Sequence, residues 1–291
     1  MTTTKDNQLH VGPVANEHRG EAIQLLFPGQ TLQMPPGCLI EARRDNRLVA
    51  VTLAVSQATS GEVWSPRCRP DESPDVAQAV VRGAVAYLAE LGCRVVHATS
   101  PAAMPNNELW RASGFERLAT LEYLSSLERD FPTSPPRTTF GFVPFEANQF
   151  ADLAKLVERT YEATRDCPAL GTRRSAAENL ADYQAVDGYS PALWSIAVDG
   201  SVPIGCVLLM TVDGQGGETL ELSYMGLVPE QRGRGHGFEL VEHAQWRARQ
   251  LGKSRLVLAV DCENAPAVAV YRRRGFLEWD RRVAWMSVLS R

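Results

Sequence analysis

The chain has no apolar run long enough to cross a bilayer as a helix, so no membrane partner is expected. It has no CxxC pair. Its six cysteines (38, 68, 93, 167, 206 and 262) are scattered, which argues against a zinc or dithiol site and for free thiols in a reducing cytoplasm; no metal is expected. It also lacks a basic excess: a net charge of −4 offers no cationic face for nucleic acid. The opening residues, MTTTKDNQLH, are polar and lack the apolar core of a secretion signal. What remains is a composition of 44% hydrophobic and 22% charged residues over 291 positions, that of a globular protein able to hold one large domain or two ordinary ones.

Proline punctuates the middle. FPTSPPRTT, residues 131–139, carries three prolines and reads as an extended linker, because proline stops helices and restricts the residue before it. Cutting there predicts domains at 1–130 and 140–291, and these resemble each other. LGCRVVHATSPAAMPNNELWRASGF ends at Gly114-Phe115, and LGKSRLVLAVDCENAPAVAVYRRRGF ends at Gly275-Phe276. The offset of 161 between 114 and 275 also carries Arg94 onto Arg255. Each half further contains a hairpin signal, with turns at Asp45-Asn46 and Asp199-Gly200. A repeat of this length indicates duplicated domains.

In the second half the apolar spacing of Phe150, Leu153, Leu156, Val157 and Tyr161 predicts a helix over 149–164. A strand over 219–228 follows the hairpin. Leu240, Val241, Ala244, Ala248 and Leu251 form one face of a helix over 237–251, closed by Gly252. A strand over 255–260 and a helix over 264–274 complete the order. Strands alternating with helices imply a mixed α/β fold, with a central mixed sheet flanked by helices in each half.

Between the strand and the helix lies Arg232-Gly233-Arg234-Gly235-His236-Gly237. Its glycines let the backbone bend tightly and approach a ligand. The first N–H groups of a helix lack internal partners and sit at its positive end, which suits a pyrophosphate, with two arginines nearby to offset charge. A dinucleotide-binding domain would place such a turn after its first strand; here it comes late, which disfavours a nucleotide-dependent oxidoreductase.

These residues resemble the GNAT acetyltransferase superfamily. Arg232, Gly235 and Gly237 fill its [Q/R]-x-x-G-x-[G/A] motif, and Asn264, Ala267, Tyr271, Gly275 and Phe276 fill N-x-x-A-x-x-x-Y-x-x-x-G-F. The likeness covers most of 140–291, and the tandem arrangement looks like that of mycothiol synthases. It implies acetyl-CoA as the acyl donor, held by backbone at Leu227 and Val228, by the N–H groups of 232–237, and near Asn264. The implied acceptor is a primary amine of a small molecule or a peptide, attacking directly in a ternary complex, by a monomer or homodimer.

Acetyl transfer to an amine needs a base to take the amine's proton and an acid for the departing thiolate. Tyr271, a phenol protonated at neutral pH, is the candidate acid through its motif position. Glu221, a lone carboxylate in the apolar strand LELSYMGLV, is the candidate base, because burial raises a carboxyl pKa. Glu218 and Tyr224 stand in reserve, and some family members use no dedicated base. Tyr161, Asp166 and Tyr224 are candidate acceptor contacts, with Cys167 beside them. His236, within the loop, is expected to be exposed and without a catalytic role, and the Arg272-Arg273-Arg274 run to be a solvated last turn. In the first half, at an offset of 160, Arg232, Gly235 and Gly237 map to Glu72, Asp75 and Ala77, and at the offset of 161 Tyr271 maps to Trp110 and Asn264 to Ala103. That half reads as a copy without a phosphate site. The alternative from another class is a non-catalytic acyl-CoA sensor or assembly module.

Overall fold

The sequence folds, in a computed structural model, into elements described for residues 8–30, 32, 37–103, 107–212 and 217–289. The polar residues 1–7 lie outside these, as do 104–106 within the first copy of the repeat. The chain divides into two compact units, Met1–Leu118 with Val283–Arg291, and Ala119–Arg282.

In the first unit β1 (Leu9–Pro13), α1 (Arg19–Leu26), β2 (Leu39–Arg44), β3 (Arg47–Ser56), β4 (Ser60–Val63) and β5 (Arg67–Cys68) precede α2 (Pro74–Glu90), β6 (Val95–Pro101) and α3 (Asn107–Ala112). The β2–β3 turn is the expected one: Asp45 and Asn46 both take positive φ (49° and 63°), the backbone that matches the twist of a two-residue hairpin. Strand order is β1-β2-β3-β4-β6 with β5 on β3, and the C-terminal strand closes the far edge through residues 283–288.

The chain then enters the second unit along β7 (Glu116–Leu127). There follow β8 (Gly141–Pro144), α4 (Phe150–Tyr161), α5 (Pro168–Gly171), α6 (Ala176–Gln184), β9 (Trp194–Asp199), β10 (Val202–Thr211), β11 (Thr219–Leu227), α7 (His236–Gln250), β12 (Arg255–Asp261), α8 (Ala265–Arg273) and β13 (Leu277–Val288). Strand order here is β13-β7-β12-β11-β10-β9-β8. The repeat is visible in detail. β4 pairs parallel to β6 as β11 does to β12, and each intervening helix ends at a left-handed glycine, Gly92 or Gly252, the residue that adopts this closure without a Cβ clash.

The unit boundaries differ from those expected at 130 and 140. Residues 131–139 are irregular, but they belong to the second unit. Phe131 and Phe140, at 3% and 7% exposure, sit in that unit's core. The physical reason is that β7 runs past residue 118 to pair antiparallel with β12 from Leu121 to Leu127, so the proline segment returns over a sheet already begun.

Two polar side chains fix α7. Gln245, fully buried, donates to the Ser126 hydroxyl (2.7 Å) and the Arg274 carbonyl (2.8 Å), and accepts from Arg274 Nε (2.9 Å). The end of α8 is thereby tied to α7. His243 stacks on Phe142 at 3.6 Å between ring centroids and shares a 3.2 Å hydrogen bond with Ser195. Burial and the charge of Arg247 pull its imidazole down to about 4.

An unfolded histidine titrates near 6.5, so the unfolded chain binds a proton at mildly acidic pH that the folded chain refuses. The associated stability is intact above about pH 6.5 and is lost as pH falls toward 4. Denaturant unfolding should therefore show His243→Gln losing on the order of 2 kcal/mol less than the parent between pH 7 and 4.5. Equal losses would assign the acid sensitivity to other groups.

Candidate active site

β11 and β12 run parallel only at Thr219–Arg255, Leu220–Leu256 and Glu221–Val257. Beyond these pairs they part. The cause lies on the other edge of β11: its pairing with β10 shifts register between Leu208–Tyr224 and Leu209–Leu222. Ser223 is the extra residue of a β-bulge, which bends and twists its strand. β12 meanwhile stays paired to β7 as far as Asp261. The result is a wedge-shaped gap between two strands of one sheet, with unpaired backbone on its walls.

The glycine loop stands at the end of β11. Gly233 and Gly235 take φ of 74° and 89°, a backbone that costs an L-residue about 1–2 kcal/mol. Gly235 is the N-cap of α7 and no side chain caps the helix. Among the described residues the N–H groups of Gly233, Arg234 and Gly235 meet no protein acceptor, leaving donors at the positive end of a 15-residue helix. Gly237 differs from its neighbours: a Cβ there would come no nearer than 4.0 Å to Val270 Cγ2, so alanine fits.

Three expected contacts have other work. Arg232 directs its guanidinium into the fold, donating to the carbonyls of Leu227 (3.0 Å), Glu162 (2.7 Å) and Thr160 (2.9 Å). It clamps the end of α4 to the end of β11, and no sequence signal announced that role. Val228 donates its N–H to the Ile204 carbonyl (3.0 Å). Since backbone direction alternates along a strand, Leu227 turns its N–H toward the gap and Val228 does not. Asn264 caps α8, its Oδ1 accepting from Ala267 N–H (3.4 Å). Arg234 is exposed and within 3.5 Å of Gln231 Oε1. His236 is half-buried instead of exposed, its ring edge-to-face with Phe140 at 5.1 Å.

Tyr271 is 7% exposed and packs at 5.6 Å from Phe276. Its hydroxyl has no protein partner among the described residues. Burial, aided by the negative charge of Asp166, pushes its pKa upward, so the phenol keeps its proton at neutral pH. Glu221 is half-buried at the apex of the gap, the last β11 residue paired with β12. Desolvation raises its carboxyl above the usual range, with the Ser223 hydroxyl opposing.

Asp166 is tied to the end of β12 by accepting the Asp261 N–H (3.0 Å). Desolvation and the adjacent Asp261 carboxylate raise its pKa. Asp261 also accepts the N–H of Cys167 (3.2 Å), which stands at a φ of 43°. Arg272 is not simply solvated: it pairs with Glu122 (2.8 Å) on β7 and Glu278 (3.2 Å).

Over β11 lies a layer of phenols. Tyr224 shares a short hydrogen bond with Thr160. Tyr161 accepts from Asn179 Nδ2 (3.0 Å) and is pushed up to about 12 by burial. Tyr183, on α6, is also held protonated, chiefly by burial and further by the carboxylates of Glu221 and Asp166. Beneath it Arg174 pairs with Asp182. Gly226 admits this layer: a Cβ there would meet Thr160 Oγ1 at 2.7 Å.

Residues 156–276 match the sequence profile of the acetyltransferase (GNAT) family. The second unit belongs to the GNAT family. Among relatives of the GNAT unit, a mycothiol acetyltransferase of Arthrobacter sp. (strain FB24) is 35% identical over 111 residues, covering 37% of this chain and 34% of that one. A mycothiol acetyltransferase of Pseudarthrobacter chlorophenolicus is 28% identical over 184 residues, covering 62% and 53%. The chain thus matches about half or less of these relatives' length. A GCN5-related N-acetyltransferase from Sphaerobacter thermophilus superposes with a TM-score of 0.65 at 15% identity, covering 98% of this chain and 97% of that one. A tandem GNAT protein from the clavulanic acid biosynthesis pathway gives 0.59 at 14%, covering 98% and 99%. The tandem GNAT fold therefore extends beyond the profile match, over the first unit as well.

Proposed function

We propose that the chain transfers an acetyl group from acetyl-CoA to a primary amine of a small molecule or peptide, by direct attack within a ternary complex. The observation that carries this reading is the gap between β11 and β12, opening beside a loop of free N–H groups with Glu221 at its apex. The loop and the start of α7 suit the donor's pyrophosphate, and the Leu227 N–H suits its amide-bearing arm. Glu221 takes one proton of the incoming ammonium, the neutral amine forms a bond to the thioester carbon, the carbon–sulfur bond breaks as Tyr271 gives its proton to the thiolate, and the nitrogen sheds its second proton to solvent while the phenolate regains one from it.

A thiol-release assay with acetyl-CoA across an amine panel tests the reading. The names of the relatives put a mycothiol-related amine on that panel. Release of CoA dependent on an amine supports transfer. Tight CoA binding without turnover of any amine would support a sensor instead.

Glu221 gives the pH dependence its sign. A base works only when deprotonated, so the rate should fall as pH drops through its raised pKa. Glu221→Gln should lower kcat and remove that acidic limb while leaving acetyl-CoA affinity unchanged. A variant keeping the parent rate and limb would move the base elsewhere.

The first unit is read as a copy that no longer takes the donor. Where the loop would stand, Glu72 bridges to Arg44 (2.7 Å) and Asp71 to Arg47 (2.9 Å). Pro74, lacking an N–H, opens α2.

A further inference from the structure

We propose that Arg255, braced on Trp279, is the specificity-determining residue of the acceptor site and selects amines that carry a carboxylate. The inference rests on the acetyltransferase reading above. It begins with register. Residues opposite one another in a sheet share a face. Glu221 pairs with Val257, and Val257 with Ser125, so these three side chains share one face. Arg255 and Ala259 on β12 lie on that face by alternation, and Tyr123 joins it opposite Ala259. The opposite face carries Leu256, Leu258 and Leu124 and is buried. On the Glu221 face Ala259 is exposed and Trp279 is 52% exposed.

An aromatic floor lies there. Tyr123 and Trp279 meet edge-to-face at 5.7 Å, and the Arg255 guanidinium lies 5.2 Å from the Trp279 ring centre. Cation–π attraction to a ring restrains a guanidinium, and a restrained guanidinium can grip a carboxylate with two bonds. Several arginines of this unit have carboxylates: Arg249 has Glu128, Arg272 and Arg281 have Glu122, Arg274 has Glu242, and Arg282 has Asp280. Arg255 has none among the described residues. Glu218, whose carbonyl accepts the Arg255 N–H (3.3 Å), has its carboxylate on the Ser254 hydroxyl (3.2 Å).

Distance completes the argument. Arg255 precedes Val257 by two residues on the strand next to Glu221, which puts the Cα atoms of Glu221 and Arg255 roughly 8 Å apart. An acceptor lying along this face would present its amine to Glu221 at the gap and its carboxylate to Arg255, several bonds away.

The test uses the full chain with saturating acetyl-CoA and a spacing series of probes: glycine, β-alanine, 4-aminobutyrate and 6-aminohexanoate, each beside its carboxamide. The expected result is a preference of tenfold or more in kcat/KM for at least one acid over its amide, expressed in KM. Arg255→Ala should collapse that ratio toward one and leave acetyl-CoA affinity unchanged, and Arg255→Glu should shift preference to 1,5-diaminopentane. Trp279→Ala should weaken the acid preference in part. Amides used as well as acids by the parent, or an undiminished ratio in Arg255→Ala, would overturn the assignment while leaving acetyl transfer standing. Failure to acetylate any amine would remove both.

Discussion

Replacing Gly235 by glutamate should abolish acetyl-CoA binding by the whole chain, and titration calorimetry of the parent should give one site per chain. Two effects combine. Gly235 has a φ of 89°, so any side chain strains the turn by about 1–2 kcal/mol. A carboxylate there would also stand against a pyrophosphate, at the helix end whose N–H groups the phosphates would otherwise occupy. A loss of at least a hundredfold is expected. Gly237→Ala is the control, since its Cβ would find open space, and it should bind nearly as the parent does. The first unit offers no rescue, because Glu72 and Asp71 already hold arginines where the cradle would be. Substitution of Asp75 should leave binding intact. A stoichiometry near two, or tight binding by Gly235→Glu, would show a second working site.

Tyr271→Phe should lower kcat by roughly ten- to a thousandfold with acetyl-CoA affinity nearly unchanged. The substitution removes one oxygen from a buried ring and leaves the packing on Phe276 intact, so the fold is not at issue. A phenol held protonated by burial and by the charge of Asp166 is a proton donor over the whole neutral range. Its hydroxyl has no protein partner among the described residues, so the change strands no buried group there. Single-turnover kinetics should locate the loss in the chemical step. An unchanged chemical rate would remove Tyr271 from the mechanism.

Much of this architecture was legible in the chain because it is written in local patterns. The turn at Asp45-Asn46, the periodic faces of α4 and α7, and the closing glycines at 252 and 275 each act within a few residues. The motif residues placed the loop and Tyr271 on their elements for the same reason. Features set by tertiary packing were not legible. The bulge at Ser223 arises from register against β10, and Arg232 has the sequence context of a phosphate ligand but is held by Thr160 and Glu162, some 70 residues away. The row of Arg255, Tyr123 and Trp279 joins segments distant in sequence. One missed feature was readable. Ser175 and Glu178 form a capping box at the start of α6, a spacing that announces a helix and with it the placement of Asn179 and Tyr183.

The path of β13 bears on how the protein is made. Val283 and Trp285, the latter fully buried, belong to the core of the first unit, yet they are translated after the whole of the GNAT unit. A nascent chain that has delivered residues 1–118 still lacks a strand and an indole that this unit requires. The GNAT unit is continuous from residue 119 to 282, so its sequence is complete before the first unit receives its last strand.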